Sequence, residues 1–396
     1  MLPHFPLLLW KMERLRHKTG MAIRVLHAHS TFSLGGKEAR AVRLMNAFGA
    51  AAEHTILSGM PDQLSARQAI ARDVKVDFPE DAPPLTGRPG LARLFRLARY
   101  MKGFDLVLTY NWGAFDAVMA KYLFRGPPLV HHEDGFNEDE AEQLKTRRNL
   151  YRRLGLSAAH RLVVPSERLE KIARTAWAHP PDRVRIPNGI PVRGFARSPS
   201  DDAIPGLKRR DGEIVIGTVA GLRAIKNLPR LVRAFAAMRE RNARLVIVGE
   251  GPECERIAAE ARAHGVADRV HLPGFLPDPA NYIGRFDIFA LSSDSEQFPI
   301  SLVEAMAAGL PVVATDVGDI VAMVSLDNRP LIVEREDEAA FTAALDTLAQ
   351  RTDLRRSIGL ANRERAAAEY DEARMIARYA SVYGEAVGDA RAFMPG

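Results

Sequence analysis

The chain has 396 residues, 47% hydrophobic and 26% charged, which is enough for two ordinary domains and excludes a disordered or fibrous class. Its net charge of +6 and pI near 9.5 suit an anionic partner: a nucleotide, an acidic glycan, lipid headgroups or nucleic acid. One cysteine, Cys254, excludes an intrachain disulfide and fits a reducing cytoplasm, and no apolar run reaches the ~20 residues of a membrane span.

Residues 1–20 stand apart. Pro6-Leu7-Leu8-Leu9-Trp10 precedes Lys11, Arg14, Arg16 and Lys18, too short for a span and without a small-residue cleavage site. The stretch reads either as an interfacial anchor or as sequence upstream of a start at Met21, where Ala22 leads straight into a strand. That strand, over 23–28, runs into Ser33-Leu34-Gly35-Gly36-Lys37-Glu38 and a helix over 39–48, the opening of an α/β domain. Strands over 106–109, 129–132 and 161–164 alternate with helices over 93–101 and 114–124, which argues for a parallel sheet. His131-His132-Glu133-Asp134 closes the middle strand. Adjacent strand residues point to opposite faces, so four in a row converge poorly on one ion; a capping turn before an acidic helix over 138–145 is the other reading. Arg147-Arg148-Asn149-Leu150-Tyr151-Arg152-Arg153 is a basic cluster on a helix, read as a solvated face or a contact for anionic lipid or an acidic acceptor.

Ile186-Pro187-Asn188-Gly189 ends the first domain, and a polar, turn-rich linker follows over 191–212. A second β-α alternation begins with a strand over 214–219, a helix over 229–241 and a strand over 244–248. Gly249-Glu250-Gly251-Pro252 then turns into a helix ending near 264, followed by strands over 270–272 and 286–291. In Ser295-Glu296-Gln297-Phe298-Pro299-Ile300-Ser301-Leu302-Val303-Glu304, one carboxylate precedes a helix and a second lies inside it, with Pro299 suited to the first helical position. A buried strand over 310–315 follows. Glu304 sits among Leu302, Val303, Ala305 and Met306, where a carboxylate is costly unless donors meet it. A ribose diol would supply two such donors, and the free amides around Ile300 to Leu302 would suit a phosphate. The alternative is a surface Glu on an ordinary amphipathic helix. The chain closes with an amphipathic helix over 373–386.

The Glu-x7-Glu spacing with Ala305-Met306-Ala307-Ala308-Gly309-Leu310-Pro311-Val312-Val313-Ala314-Thr315 resembles glycosyltransferase family 4, the retaining nucleotide-sugar enzymes. The resemblance extends from about residue 21 to about 385 and is strongest over 214–315. It implies a GT-B fold of class α/β: two Rossmann-like domains facing across a cleft, an acceptor-side domain over 21–190, a donor-binding domain over 213–365, and a C-terminal segment over 366–396 crossing back. It also implies that Glu304 binds the donor ribose and that Glu296 lies near the sugar. Gly35, Gly36, Gly249, Gly251, Phe298, Pro299, Ile300, Ser301 and Leu302 would line the donor site. Lys226 and an arginine would neutralise the leaving pyrophosphate. The usual arginine position falls on Gly221, so Arg223 is the substitute, and Gln297 replaces a usual glycine beside the sugar. Phe275 aligns with the base pocket or is core. At the sugar, where relatives carry a histidine, the alignment offers Asp134 or His132.

The implied reaction moves a sugar from a UDP- or GDP-sugar to an acceptor hydroxyl with retention, by front-face attack. No metal and no cofactor is expected, and the acceptor would be a glycan or lipid-linked, in bacterial polysaccharide or glycolipid synthesis. Location follows as cytoplasmic, peripheral on the inner membrane face, with an anionic membrane surface as a further partner. A nucleotide-sugar epimerase and a non-catalytic member of the same fold are the alternatives. A dinucleotide-dependent oxidoreductase lacks its Gly-x-Gly-x-x-Gly fingerprint, and nucleic-acid-binding patterns are missing from the sequence.

Overall fold

The computed structural model describes residues 22–33, 35–87, 90–135, 145–177 and 183–394. The expected anchor over 1–20 and nearly all of the expected acidic helix over 138–145 lie outside them. The chain divides into two compact units, one of residues 1–165, 169–186 and 376–396, the other of 166–168 and 187–375.

The first unit carries β1 (Ile23–His29), β2 (Ala52–Ser58), β3 (Val76–Asp77), β4 (Leu106–Tyr110), β5 (Leu129–His132), β6 (Arg161–Val164) and β7 (Arg183–Arg185). They form one parallel sheet in the order β3-β2-β1-β4-β5-β6-β7. Its central strands are buried along most of their length because helices cover both faces. On one face, helices Leu91–Met101, Phe115–Phe124 and Thr146–Leu156 bury Leu94, Leu97, Phe115, Val118 and Leu156 against Leu26, Val107 and Leu129. On the other, helix Gly36–Phe48 and the terminal segment meet, Phe48 lying 5.1 Å from Phe393 and 6.1 Å from Tyr383.

The second unit carries β8 (Ile214–Val219), β9 (Ala243–Val248), β10 (Val270–Gly274), β11 (Ile288–Leu291), β12 (Val312–Thr315) and β13 (Ile332–Val333), parallel in the order β10-β9-β8-β11-β12-β13. Alternate residues of β11 feed two cores: Phe289 and Leu291 one, Ile288 and Ala290 the other. Helix Leu228–Ala237 buries Leu231, Val232 and Phe235 at helical spacing, and stops four residues before the expected end. There Asp346 accepts from the amides of Arg239 and Glu240 and fixes a turn. The stretch over 191–212 is no free linker: Val192, Phe195, Ile204 and Leu207 are buried in this unit's core.

Each sheet reverses winding direction once, between β1 and β4 and between β8 and β11. Open parallel sheets bind ligands beyond the carboxyl ends of their strands at such points. That locates one candidate site in each unit.

Candidate functional site

In the second unit the loop after β8 holds Arg223 and Lys226, and the loop after β11 holds Asp294 and Glu296. Lys226 Nζ lies 2.5 Å from Glu296 Oε1, which also accepts from Ser293 Oγ at 2.7 Å. Glu296 is nearly buried, and its Oε2 accepts no hydrogen bond among the described residues. The two loops are riveted together. Asn227, in the left-handed region at φ 42°, donates its amide to both oxygens of Asp294 at 3.1 Å. Arg230 pairs with Asp294 at 2.9 Å and donates to Ser292 O, and Ser292 Oγ donates to Lys226 O and Asn227 O. Asparagine tolerates the left-handed region and also supplies the side-chain donor. Arg223 is exposed on the same loop, its guanidinium without an ion-pair partner among the described residues.

Gly249 and Gly251 follow β9. At Gly249, φ is 143° and a Cβ would lie 1.9 Å from Ala220 O; at Gly251, φ is 156° and a Cβ would lie 2.4 Å from Leu222 O. Only glycine lets this turn close on the loop after β8. Gly249→Ala is expected to lower stability by on the order of 3 kcal/mol, read as a shift of the urea midpoint; an unchanged midpoint would refute the steric account. Gly318 does the same work on the other side, where a Cβ would meet Glu296 O at 2.2 Å with φ at 63°. Phe275, just past β10, is 65% exposed, which excludes the core reading and leaves the ring open beside the Gly249–Gly251 turn, its amide 3.4 Å from Glu250 Oε1.

Helix Ile300–Ala307 begins one residue later than expected, with Pro299 as the residue before it. Ile300 and Ser301 are half-buried at its first turn, and Leu302 is buried. The Phe298 ring is half-buried, stands edge-on to Tyr370 at 5.7 Å and packs against the core. Glu304 is half-buried one turn in; burial first, and then its charge, push the Tyr282 phenol up.

In the first unit, Gly35 precedes helix Gly36–Phe48, whose start lies beyond the carboxyl end of β1. Arg40 on this helix forks onto Asp134 after β5, with Nη2 2.8 Å from Oδ2, and the Tyr379 ring lies 5.5 Å beyond the guanidinium carbon. Burial alone would raise the Asp134 carboxyl, but Arg40 more than offsets this and holds it below its usual range. The Asp134 amide donates to Asn111 Oδ1 at 2.7 Å, and Asn111 itself has φ 56° directly after β4. His132 does not reach a ligand. It is buried, its Nδ1 lies 3.1 Å from Thr109 O, its Nε2 lies 2.8 Å from Tyr383 Oη, and its ring stacks on Tyr110 at 4.6 Å. Both ring nitrogens are spent inside the fold. His131 points to the opposite face, with Nδ1 2.8 Å from Thr109 Oγ1 and its ring edge-on to Phe115.

Sequence reasoning missed a wider buried cluster. His27 bridges Tyr110 Oη at 3.1 Å and His54 Nδ1 at 2.9 Å. His29 stacks on Tyr110 at 4.0 Å, and neither of its ring nitrogens has a hydrogen-bond partner among the described residues. Burial lowers all of these imidazoles, His27 and His29 well below their ordinary value, His54 to about 4 and, with Arg40 adding, His132 to about 3. The signal available was the His-x-His of β1, which follows the apolar pair Val25-Leu26 in a buried strand. Asp294, Ser293 and Gly318 were also missed; their roles rest on pairings between separate loops.

Residues 34–193 match the model of Glycosyltransferase Family 4, and residues 200–365 that of the Glycosyl transferases group 1. An N-acetyl-alpha-D-glucosaminyl L-malate synthase of Bacillus anthracis is 27% identical over 180 residues, 45% of this chain and 47% of the relative. A D-inositol 3-phosphate glycosyltransferase of Salinispora arenicola is 27% identical over 315 residues, 72% and 69% of the two chains. The chain spans about half the length of the first relatives it matches. Anabaena HepE, solved in complex with UDP, superposes with a TM-score of 0.75 at 18% identity, covering 92% of this chain and 100% of that one. Two Rossmann-like parallel-sheet units give the GT-B fold, and the chain belongs to glycosyltransferase family 4.

Proposed function

We propose that the protein transfers a sugar, with retention, from a UDP- or GDP-sugar to an acceptor hydroxyl in polysaccharide or glycolipid synthesis. The observation that carries this is the Lys226–Glu296 pair at the winding reversal of the second sheet. Glu304 accepts from the ribose diol, and the amides of Ile300 to Leu302 meet the pyrophosphate. As the bond to the leaving group breaks, negative charge grows on the pyrophosphate and is offset by the Lys226 ammonium and the Arg223 guanidinium, so the reading includes no metal. Glu296 has two tasks: Oε1 orients Lys226, and Oε2, without a bond of its own, accepts from a sugar hydroxyl. Attack comes from the face the leaving group departs, a phosphate oxygen of the donor taking the acceptor proton. Arg40 and Asp134 hold the loops after β1 and β5 in place on the acceptor side. A cleft of about 440 Å³ at the same sheet edge, lined by Leu85, Trp112, Phe115, Arg147, Arg148 and Tyr151, suits an acceptor with an apolar part and an anionic group.

Thermal unfolding against UDP-, GDP-, ADP- and dTDP-sugars, with NAD as control, tests the reading. One nucleotide-sugar raises Tm, and Glu304→Ala weakens its binding by roughly 10- to 100-fold through loss of charged hydrogen bonds worth about 1.5–3 kcal/mol. A folded protein that no donor shifts, or a Glu304→Ala variant that binds normally, refutes it.

A further inference from the structure

Beyond the acceptor cleft, which takes in Arg147, Arg148 and Tyr151, the first unit carries a wider surface that sugar transfer does not call for. Helices Leu91–Met101, Phe115–Phe124 and Thr146–Leu156 lie side by side on one face of the seven-stranded sheet, with Phe95 edge-on to Phe124 at 5.3 Å. Among the described residues, seven of the thirteen exposed large hydrophobics sit on these three helices: Leu91, Phe95, Tyr122, Leu123, Leu150, Tyr151 and Leu154. Leu91 is 69% exposed and Leu150 56%, although each helix already has a buried stripe facing the sheet. Scattered single exposures are ordinary; this concentration is not.

Charge separates the same face from the rest of the chain. The three helices hold eight arginines and lysines and a single carboxylate, Asp116, which pairs with Arg93. Two of the eight are buried and ion-paired, Arg93 with Asp116 and Arg152 with Glu133, which leaves six on or near the surface of the three helices. Arg96, Arg99, Arg147 and Arg153 are exposed among the leucines and aromatics, and Lys102 and Arg125 extend the surface just past two of the helix ends. Apolar side chains interleaved with cations match the boundary of an anionic bilayer, where the apolar groups enter the acyl edge and the cations meet phosphates.

We propose that this three-helix face docks the protein onto an anionic lipid bilayer. A protein partner of matching acidity would need shape complementarity to a rigid surface, whereas a bilayer needs only the interleaving seen here. No helix among the described residues is long and apolar enough to cross a membrane, so attachment through this face is to the surface.

The test is co-sedimentation of the full chain with phosphatidylcholine vesicles and with mixed phosphatidylcholine–phosphatidylglycerol vesicles. The expected result is binding to the mixed vesicles only, reduced by high salt. Arg96→Ala with Arg153→Ala lowers partitioning by roughly 20- to 30-fold, and Leu150→Asp with Leu154→Asp abolishes it. All four positions are exposed, and an unchanged Tm with an unchanged donor-induced shift shows that each variant is folded. Equal binding to both vesicle types, no binding to either, or variants that pellet like the parent overturn the proposal. The last outcome would move attachment to residues 1–20. A dimer that the leucine substitutions dissociate would reassign the face to self-association.

Discussion

Lys226→Ala lowers kcat for sugar transfer by about 10²- to 10³-fold while KM for the donor changes little, the loss expected when one preorganised charge partner of the leaving group is removed. The expectation rests on position. Lys226 lies on the loop beyond β8, held by Asn227, Arg230 and Ser292, so its ammonium is aimed before any ligand arrives. Removing it also strands Glu296, a carboxylate only 8% exposed, at a cost on the order of 3 kcal/mol. Steady-state kinetics are therefore measured well below Tm, with Lys226→Arg as a variant that keeps the charge. An alanine variant with parental kcat removes Lys226 from the chemistry.

Acid unfolds the first unit well above the pH at which carboxylates are protonated. His27, His29, His54 and His132 are buried and neutral when folded but titrate near 6.5 when unfolded. Below that pH the unfolded chain binds protons that the folded chain refuses, so stability is intact above 6.5 and falls as pH drops toward about 4, the folded value of His54. Each such histidine removes up to about 1.4 kcal/mol per pH unit across that window. Protonation of Asp134, whose folded value is lowered by Arg40, adds a further loss at lower pH. Urea midpoints recorded from pH 7.5 to pH 5 should fall continuously, and less so in His54→Gln; a flat profile would show that the imidazoles are protonated within the fold or relieved by solvent.

The strands legible in the sequence are those buried on both faces, such as β4 and β8, because an unbroken apolar run marks them. β2 was not, because Glu53, His54 and Thr55 interrupt its run, and His54 is buried only through its bond to His27 in the neighbouring strand. β3, β7 and β13 have two or three residues each, too few for a period. Glu296 and Glu304 stand out in the sequence because they share one local Glu-x7-Glu spacing, whereas the pairing of Glu296 with Lys226, 70 residues earlier, is set by the fold. On the acceptor side the same reasoning failed for His132: what occupies its Nε2 is Tyr383, 251 residues further along the chain.

The division of the first unit also orders events during synthesis. Tyr379, Tyr383 and Phe393, which cover its histidines and Phe48, belong to the last twenty-one residues of the chain. At the pace of a ribosome, those residues appear roughly 10–40 s after residue 186 has been made. Until then only helix Gly36–Phe48 covers that face of the seven-stranded sheet, a nascent intermediate with apolar surface that chaperones would recognise. A nonsense codon anywhere in the final helix would therefore damage the part of the protein translated first.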